Sequence, residues 1–256
     1  MDLRLNISLA DGYKAASQKS RVVTEDWVAR NMFCPICGKP VLSHYENNRP
    51  VADFYCDNCK SDFELKSKES KSGRFAAKIP DGAYTTMIER ITSLQNPNFF
   101  FLTYAGSMVS NFVLVPNHFF VPEIIEKRPP LGANARRAGW EGCNINLQEI
   151  PETGKIYIIQ NGIETDKSRV VDCYARTKML KTNKLESRGW MMDVLKCIER
   201  IPTEDFKLTE VYAFAEELQG KHTENNFVKD KIRQQLQILR DKGFISFTSR
   251  GHYKKI

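Results

Sequence analysis

Cys34-Pro-Ile-Cys37 and Cys56-Asp-Asn-Cys59 stand 18 residues apart, and the segment around the second pair also carries Asp53, Glu64 and Lys66. Each CxxC loop can present two thiolates to one tetrahedral ion while the residues between supply connecting strands, so the spacing predicts a four-cysteine zinc ribbon. That constrains the fold strongly: the chain must return on itself between the pairs, and residues 53–66 must form a hairpin whose tip is a knuckle. Gly38 and Asn58 suit the tight knuckle turns. Four thiolates leave no open coordination position, so this metal is structural. The competing readings are four buried free thiols and a redox pair, and the matched spacing of the two CxxC pairs argues against the latter.

The remaining cysteines, Cys143, Cys173 and Cys197, make an odd total of seven, a usage that fits a reducing compartment and metal rather than disulfides. Each reads as a small buried or half-buried apolar residue. A composition of 41% hydrophobic and 27% charged residues excludes a disordered chain, and 256 residues suffice for two domains. No apolar run approaches the roughly 18 residues of a membrane span, and the N-terminus lacks a signal-peptide core. A cytoplasmic monomer with no membrane partner is therefore expected. The net charge of +7 is concentrated at one end. Residues 225–256 hold eight Lys/Arg against two acids, which is either a solvated face or the electrostatic footprint of a nucleic-acid binder.

The polar run Arg176–Ser187 separates strand-like segments from a strongly helical region, which predicts domains 1–182 and 183–256. In the first, residues 10–30 read as a helix with Thr24-Glu-Asp-Trp27 as a cap, and 81–93 as a helix with Asp81 near its N-cap. Residues 51–55 and 62–66 read as strands, while 98–104, 111–116 and 155–160 are continuous apolar runs suited to buried strands. Helices flanking a mixed central sheet, an α/β (α+β) fold, is the simplest assembly. In the second, helices over 190–201, 208–218 and 226–242 precede a hairpin turning at Arg250-Gly251, an α+β winged helix-turn-helix.

Side chains alternate along a strand, so Glu64 and Lys66 share one face, and hairpin pairing can bring Asp53 beside Glu64. Two carboxylates can bind Mg²⁺, one of whose waters becomes a nucleophile, and Lys66 can orient that water and offset charge on phosphoryl oxygens. An isolated D-x10-E-x-K also arises by chance on half-exposed, salt-bridged strands. Its position after Pro50-Val-Ala on an apolar strand favours the hydrolytic reading, as in the PD-(D/E)xK nucleases.

The stretches Thr24–Trp27, Cys34-Pro-Ile-Cys-Gly38, Glu46–Cys56, Phe63–Lys68, Asn96–Tyr104, Ala135-Arg-Arg-Ala-Gly-Trp140 and Lys231–Lys242 closely resemble the methyl-directed restriction endonucleases. The resemblance covers essentially the whole chain. It implies a PD-(D/E)xK domain with an embedded four-cysteine zinc site (Cys34, Cys37, Cys56, Cys59), followed by a winged-helix domain. It further implies Mg²⁺-dependent cleavage of double-stranded DNA at GATC carrying N6-methyladenine, both domains reading the site, with Asp53, Glu64 and Lys66 catalytic and Trp140 sensing the methyl group.

The residues themselves suit DNA reading. In the last helix Val228, Ile232, Leu236 and Leu239 fall on one face, leaving Lys229, Arg233, Gln234 and Gln237 outward as candidate base and phosphate contacts. Arg250, His252, Lys254 and Lys255 of the wing would grip phosphate. An adenine N6-methyl offers only apolar contact in the major groove, so Trp140 beside Arg136 and Arg137 has fitting chemistry, although a tryptophan alone is more often core. The alternatives are a zinc-ribbon and winged-helix transcription factor without catalysis, and a nuclease for another substrate such as single strands or unmethylated DNA.

Overall fold

The computed structural model describes residues 1–46, 52–93, 96–182 and 184–256. The chain forms two compact units, one of 1–148 with 153–178 and the other of 149–152 with 179–256. No described helix is long and apolar enough to cross a membrane.

The first unit is built on a seven-stranded mixed sheet. Its strands are β1 (Ser43–His44), β2 (Phe54–Tyr55), β3 (Asp62–Glu69), β5 (Asn98–Ala105), β6 (Met108–Val115), β9 (Ile156–Gln160) and β10 (Ile163–Glu164), side by side in that order. β3 and β5 run parallel, and every other pair is antiparallel. A second sheet holds β4 (Lys78–Ala83), β8 (Gly142–Asn146) and β7 (Ile125–Lys127) in that spatial order. The helices are α1 (Ala16–Asn31), α2 (Tyr84–Thr92) and α3 (Lys167–Lys178).

The run Phe99-Phe100-Phe101-Leu102 is wholly buried because the sheet is covered on both faces. Phe100 and Leu102 join Val23, Trp27 and Phe112 in the core that includes α1. Phe99 turns the other way, stacked on Phe120 at 4.3 Å and under the Arg90 guanidinium of α2. β3 divides in the same way: Phe63 and Leu65 pack into the α1 core, and the Ser67 hydroxyl lies 2.9 Å from that of Thr24. Glu64 and Lys66 occupy the opposite face, in register with Phe99 and Phe101 of β5.

Several local expectations are corrected. α1 begins at Ala16, and Thr24 caps nothing: it lies buried in mid-helix, donating its hydroxyl to the Ser20 carbonyl at 2.8 Å. Asp81 belongs to β4, and α2 starts at Tyr84 after Ala83, because the 78–83 segment pairs with β8 before the chain turns into a helix. β3 runs three residues past Lys66, since its parallel partner β5 continues beside it. Of the predicted 51–55 strand, Val51 and the preceding Pro50 lie outside the described residues. Cys143 and Cys197 are buried, but Cys173 is exposed on α3, a helix that the sequence pattern did not predict and whose last turn enters the polar run taken as the domain boundary.

In the second unit α4 (Leu185–Arg200), β11 (Asp205–Lys207), α5 (Leu208–Tyr212), α6 (Ala215–Lys221), α7 (Val228–Asp241), β12 (Ile245–Ser249) and β13 (His252–Lys255) follow in order. The sheet order β11-β13-β12 completes a winged helix, whose first strand the sequence pattern did not reveal. The expected 208–218 helix is two pieces, broken at Ala213-Phe214. Trp190, Val194, Val211, Ile232, Leu236 and Leu239 form its buried centre.

Candidate metal centre, active site and DNA interface

The four cysteines gather their sulfurs within 4.8 Å of one another. Cys34 and Cys59 lie 3.6 Å apart, as do Cys37 and Cys56, close to the roughly 3.8 Å that tetrahedral Zn–S bonds of about 2.3 Å require. Both knuckles have one design. The Cys34 carbonyl accepts the Gly38 N–H and its N–H donates to the Lys39 carbonyl, and Cys56 makes the same pair with Lys60 and Ser61. The fourth residue after each leading cysteine is left-handed, Gly38 at φ +74° and Lys60 at φ +58°. Lys60, not Asn58, is therefore the strained turn residue of the second knuckle. Asn58 instead donates to the Cys37 sulfur at 3.4 Å. Four converging soft donors and shared turn geometry fit zinc.

Immediately beyond the second knuckle, β2 and β3 pair Tyr55 with Asp62 and Phe54 with Phe63. The same ladder carries on to Asp53, whose N–H donates to the Phe63 carbonyl at 3.0 Å. The Asp53 carboxylate accepts the Leu65 N–H at 2.6 Å, which sets it beside the backbone linking Glu64 to Lys66. No hydrogen bond or ion pair joins Asp53 directly to either among the described residues. The Asp53 charge also reaches Glu25 of α1: burial raises the Glu25 carboxyl, Arg21 opposes this, and the charge of Asp53 adds to it.

Glu64 and Lys66 enter a buried ionic cluster. The Lys66 Nζ lies 2.5 Å from Glu64 Oε1 and 2.5 Å from Asp81 Oδ1. Arg90 Nη1 approaches Glu64 Oε2 to 2.7 Å, and Arg90 Nη2 lies 4.0 Å from Asp81 Oδ2. The contact to Glu64 is an ion pair without hydrogen-bond alignment, and Glu64 Oε2, Asp81 Oδ2 and Arg90 Nε are buried with no hydrogen-bond partner among the described residues. Burial pushes the Glu64 carboxyl up, against the pull of Lys66 and Arg90. Burial alone would favour a neutral Lys66, but Glu64 and Asp81 outweigh it and hold the ammonium above the usual lysine range. Lys66 is thus a fixed cation rather than a base.

Carboxylate oxygens suit a hard cation, and Glu64 Oε2, ion-paired with Arg90 but without an aligned hydrogen bond, keeps acceptor capacity for one. Asp53 and Glu64 do not form a closed cage; the cysteines are the sole gathering of three or more potential ligands among the described residues. A hard divalent cation that retains several waters would need no more protein ligands than these.

Trp140 sits half-buried on the loop joining β7 to β8, not in the core. The Arg137 guanidinium lies 4.6 Å from its ring centroid, and its N–H and carbonyl tie back to Arg137 and Leu131. A Cβ at Gly142 would come within 2.9 Å of the indole. Arg136 and Arg137 are exposed.

On α7, Lys229, Arg233, Gln234 and Gln237 are exposed, and Gln235 is buried. Tyr212 of α5 organises two of the outward cations. Its hydroxyl accepts from Arg233 Nε, and the Lys229 ammonium lies 5.5 Å from its ring centroid. Arg250 and Lys254 are exposed in the wing, but Lys255 is committed to the Ile201 carbonyl, which corrects its reading as a free phosphate ligand.

Two family models account for nearly all of this chain. That of DpnI, the Dam-replacing family, matches residues 1–183, and that of the Dam-replacing helix-turn-helix domain matches residues 186–255. The chain belongs to the DpnI-type Dam-replacing family. Membership identifies a restriction endonuclease with a C-terminal helix-turn-helix DNA-binding domain, and DNA as its partner. Within this DpnI-type architecture, sequence reasoning passed over Asp81, Arg90 and Tyr212. Asp81 was masked by a helix-cap pattern, and Arg90 and Tyr212 act through contacts that only the folded chain creates.

Proposed function

We propose that the chain hydrolyses phosphodiester bonds of double-stranded DNA at GATC sites carrying N6-methyladenine, using Mg²⁺. Residues 1–182 would act as a PD-(D/E)xK catalytic domain and 183–256 as a winged-helix domain, each binding the methylated site. The supporting observation is the strand β3, which presents Glu64 and a clamped Lys66 ammonium 2.5 Å apart with the Asp53 carboxylate fixed at the intervening peptide.

Asp53 and Glu64 are the residues that would hold Mg²⁺. The bound ion supplies Lewis acidity and a water of lowered pKa. Lys66, permanently cationic, orients the attacking water and offsets charge that builds on the phosphoryl oxygens. The four-cysteine zinc site fixes the turn from β2 to β3 and hence the register of Asp53 against Glu64. In the winged helix, Arg233, Gln234 and Gln237 read base edges, while Lys229 and Arg250 contact phosphates. Trp140 covers the adenine methyl, with Arg136 and Arg137 on the flanking backbone.

Digestion of one plasmid, prepared with and without adenine methylation at GATC, tests the reading. Cutting of the methylated form alone is expected. Cutting of the unmethylated form would remove methyl dependence, and no cutting of either in Mg²⁺ would favour a DNA-binding protein without catalysis.

A further inference from the structure

The candidate catalytic pair Glu64 and Lys66 is half of a closed ring of alternating charge. Lys66 lies 2.5 Å from Glu64, Glu64 lies 2.7 Å from Arg90, Arg90 lies 4.0 Å from Asp81, and Asp81 lies 2.5 Å from Lys66. All four side chains are largely buried, between 10% and 18% exposed. The two outer members come from elements remote from β3: Asp81 from β4 of the second sheet, and Arg90 from α2.

Asp81 is held for this position. Its Oδ1 also accepts the Gly82 N–H at 2.7 Å, and the β4–β8 ladder shifts register between Asp81 and Ala83. Such a bulge re-aims a side chain that a regular ladder would direct elsewhere. Sheet stability gives no reason for an acid here, since an apolar residue of similar size opposite an apolar partner would avoid the desolvation of a buried carboxylate.

We propose that Asp81 is a positioning residue for Lys66, keeping the ammonium aimed at the reaction centre once Glu64 turns its oxygens to the catalytic cation, and that Arg90 holds Glu64 in reach of that exchange. With Glu64 as its sole carboxylate, Lys66 would lose its anchor when Glu64 is engaged elsewhere. A second carboxylate 2.5 Å away removes that dependence. Oriented charge contributes to catalysis only while its geometry is fixed, so a small displacement of the ammonium is costly. The inference rests on the proposed catalytic roles of Glu64 and Lys66.

Asp81→Asn keeps the shape and one acceptor but removes the charge. The expected result is a single-turnover cleavage rate reduced by about 100-fold, with metal-free DNA affinity and melting temperature close to those of the unaltered chain. With Mg²⁺ bound, the Lys66 side-chain ¹⁵N resonance is expected to be sharp in the unaltered protein and to broaden in the variant, where no second carboxylate holds the ammonium once Glu64 is engaged. Asp81→Glu, which restores charge displaced by one methylene, should recover part of the rate, and it carries the same test if the Asn variant does not fold. Full-rate cleavage by Asp81→Asn while Lys66→Ala is inactive would overturn the positioning role alone. Full-rate cleavage by Lys66→Ala would instead remove the catalytic reading beneath it.

Discussion

The Asp53 carboxylate is fastened to the backbone N–H of Leu65 at 2.6 Å, the residue that separates Glu64 from Lys66. One acid is thereby tied to the strand that presents the other acid and the cation, rather than left to a flexible rotamer. Asp53→Asn retains an acceptor for that N–H while removing the negative charge needed for a metal. DNA cleavage should fall at least about 100-fold with affinity for DNA largely kept. Single-turnover rates and filter binding measure the two; parallel loss of both would make Asp53 structural.

Metal affinity at this site should weaken early as the solution is acidified. Glu64 binds its proton more tightly than an ordinary carboxyl because it is buried. A proton and a cation compete for the same oxygens, so as pH falls toward the acid range protonation sets in at a higher pH than for an exposed glutamate. Mg²⁺ titration by calorimetry across that range should show affinity dropping with falling pH, and Glu64→Gln should flatten the dependence. A pH-independent affinity would remove Glu64 from the metal site.

The cysteine clamp should act on activity through stability and register. One zinc per chain is expected by metal analysis, and Cys56→Ala should cost several kcal/mol, lowering the melting temperature by roughly 10 °C or more. Cleavage should decline in step with the folded fraction after chelation and return on adding zinc without change in metal-saturated kcat. An unchanged melting temperature after stripping would mean the thiols hold no structural ion.

Much of this was legible in the chain because it depends on periods and spacings. The CxxC frame, the alternation that puts Glu64 and Lys66 on one face, and the apolar runs that became β5, β6 and β9 are all local patterns. What escaped reading depends on long-range pairing. Asp81-Gly-Ala-Tyr looks like a helix start in isolation, and only the β8 partner, which sets Cys143 against Asp81, makes it a strand. Lys60 gave no signal of a left-handed turn, since the knuckle's hydrogen bonds and not its side chain impose φ +58°. Tyr212 likewise has meaning only once α5 meets α7.

That meeting yields a prediction for the helix-turn-helix domain. Tyr212 accepts from Arg233 Nε, while Arg233 Nη1 lies 3.7 Å from Asp230 Oδ1. Tyr212→Phe should keep the ring beside Lys229 but release Arg233, relaxing sequence preference at one base pair by about 1–2 kcal/mol. Lys229→Ala should weaken binding to all sequences alike and reduce the salt slope of log K by about one. Affinities measured over a salt series with single-base variants separate the two; a uniform loss for Tyr212→Phe would refute its part in base reading.

Trp140 offers a sharper test because two different changes bear on it. Its ring lies under the Arg137 guanidinium, and Gly142 leaves space for its edge that a methyl would fill to within 2.9 Å. Gly142 is not left-handed, so Gly142→Ala is tolerated by the backbone and acts by shifting the indole. If Trp140 covers the adenine methyl, Trp140→Ala should reduce the ratio of methylated to unmethylated cleavage by roughly 10-fold, a loss near the 1–2 kcal/mol of one apolar contact. Gly142→Ala should lower the same ratio by less, with general DNA affinity and melting temperature nearly unchanged in both. Equal losses on methylated and unmethylated DNA would show that Trp140 supports the β7–β8 loop and does not read the methyl group.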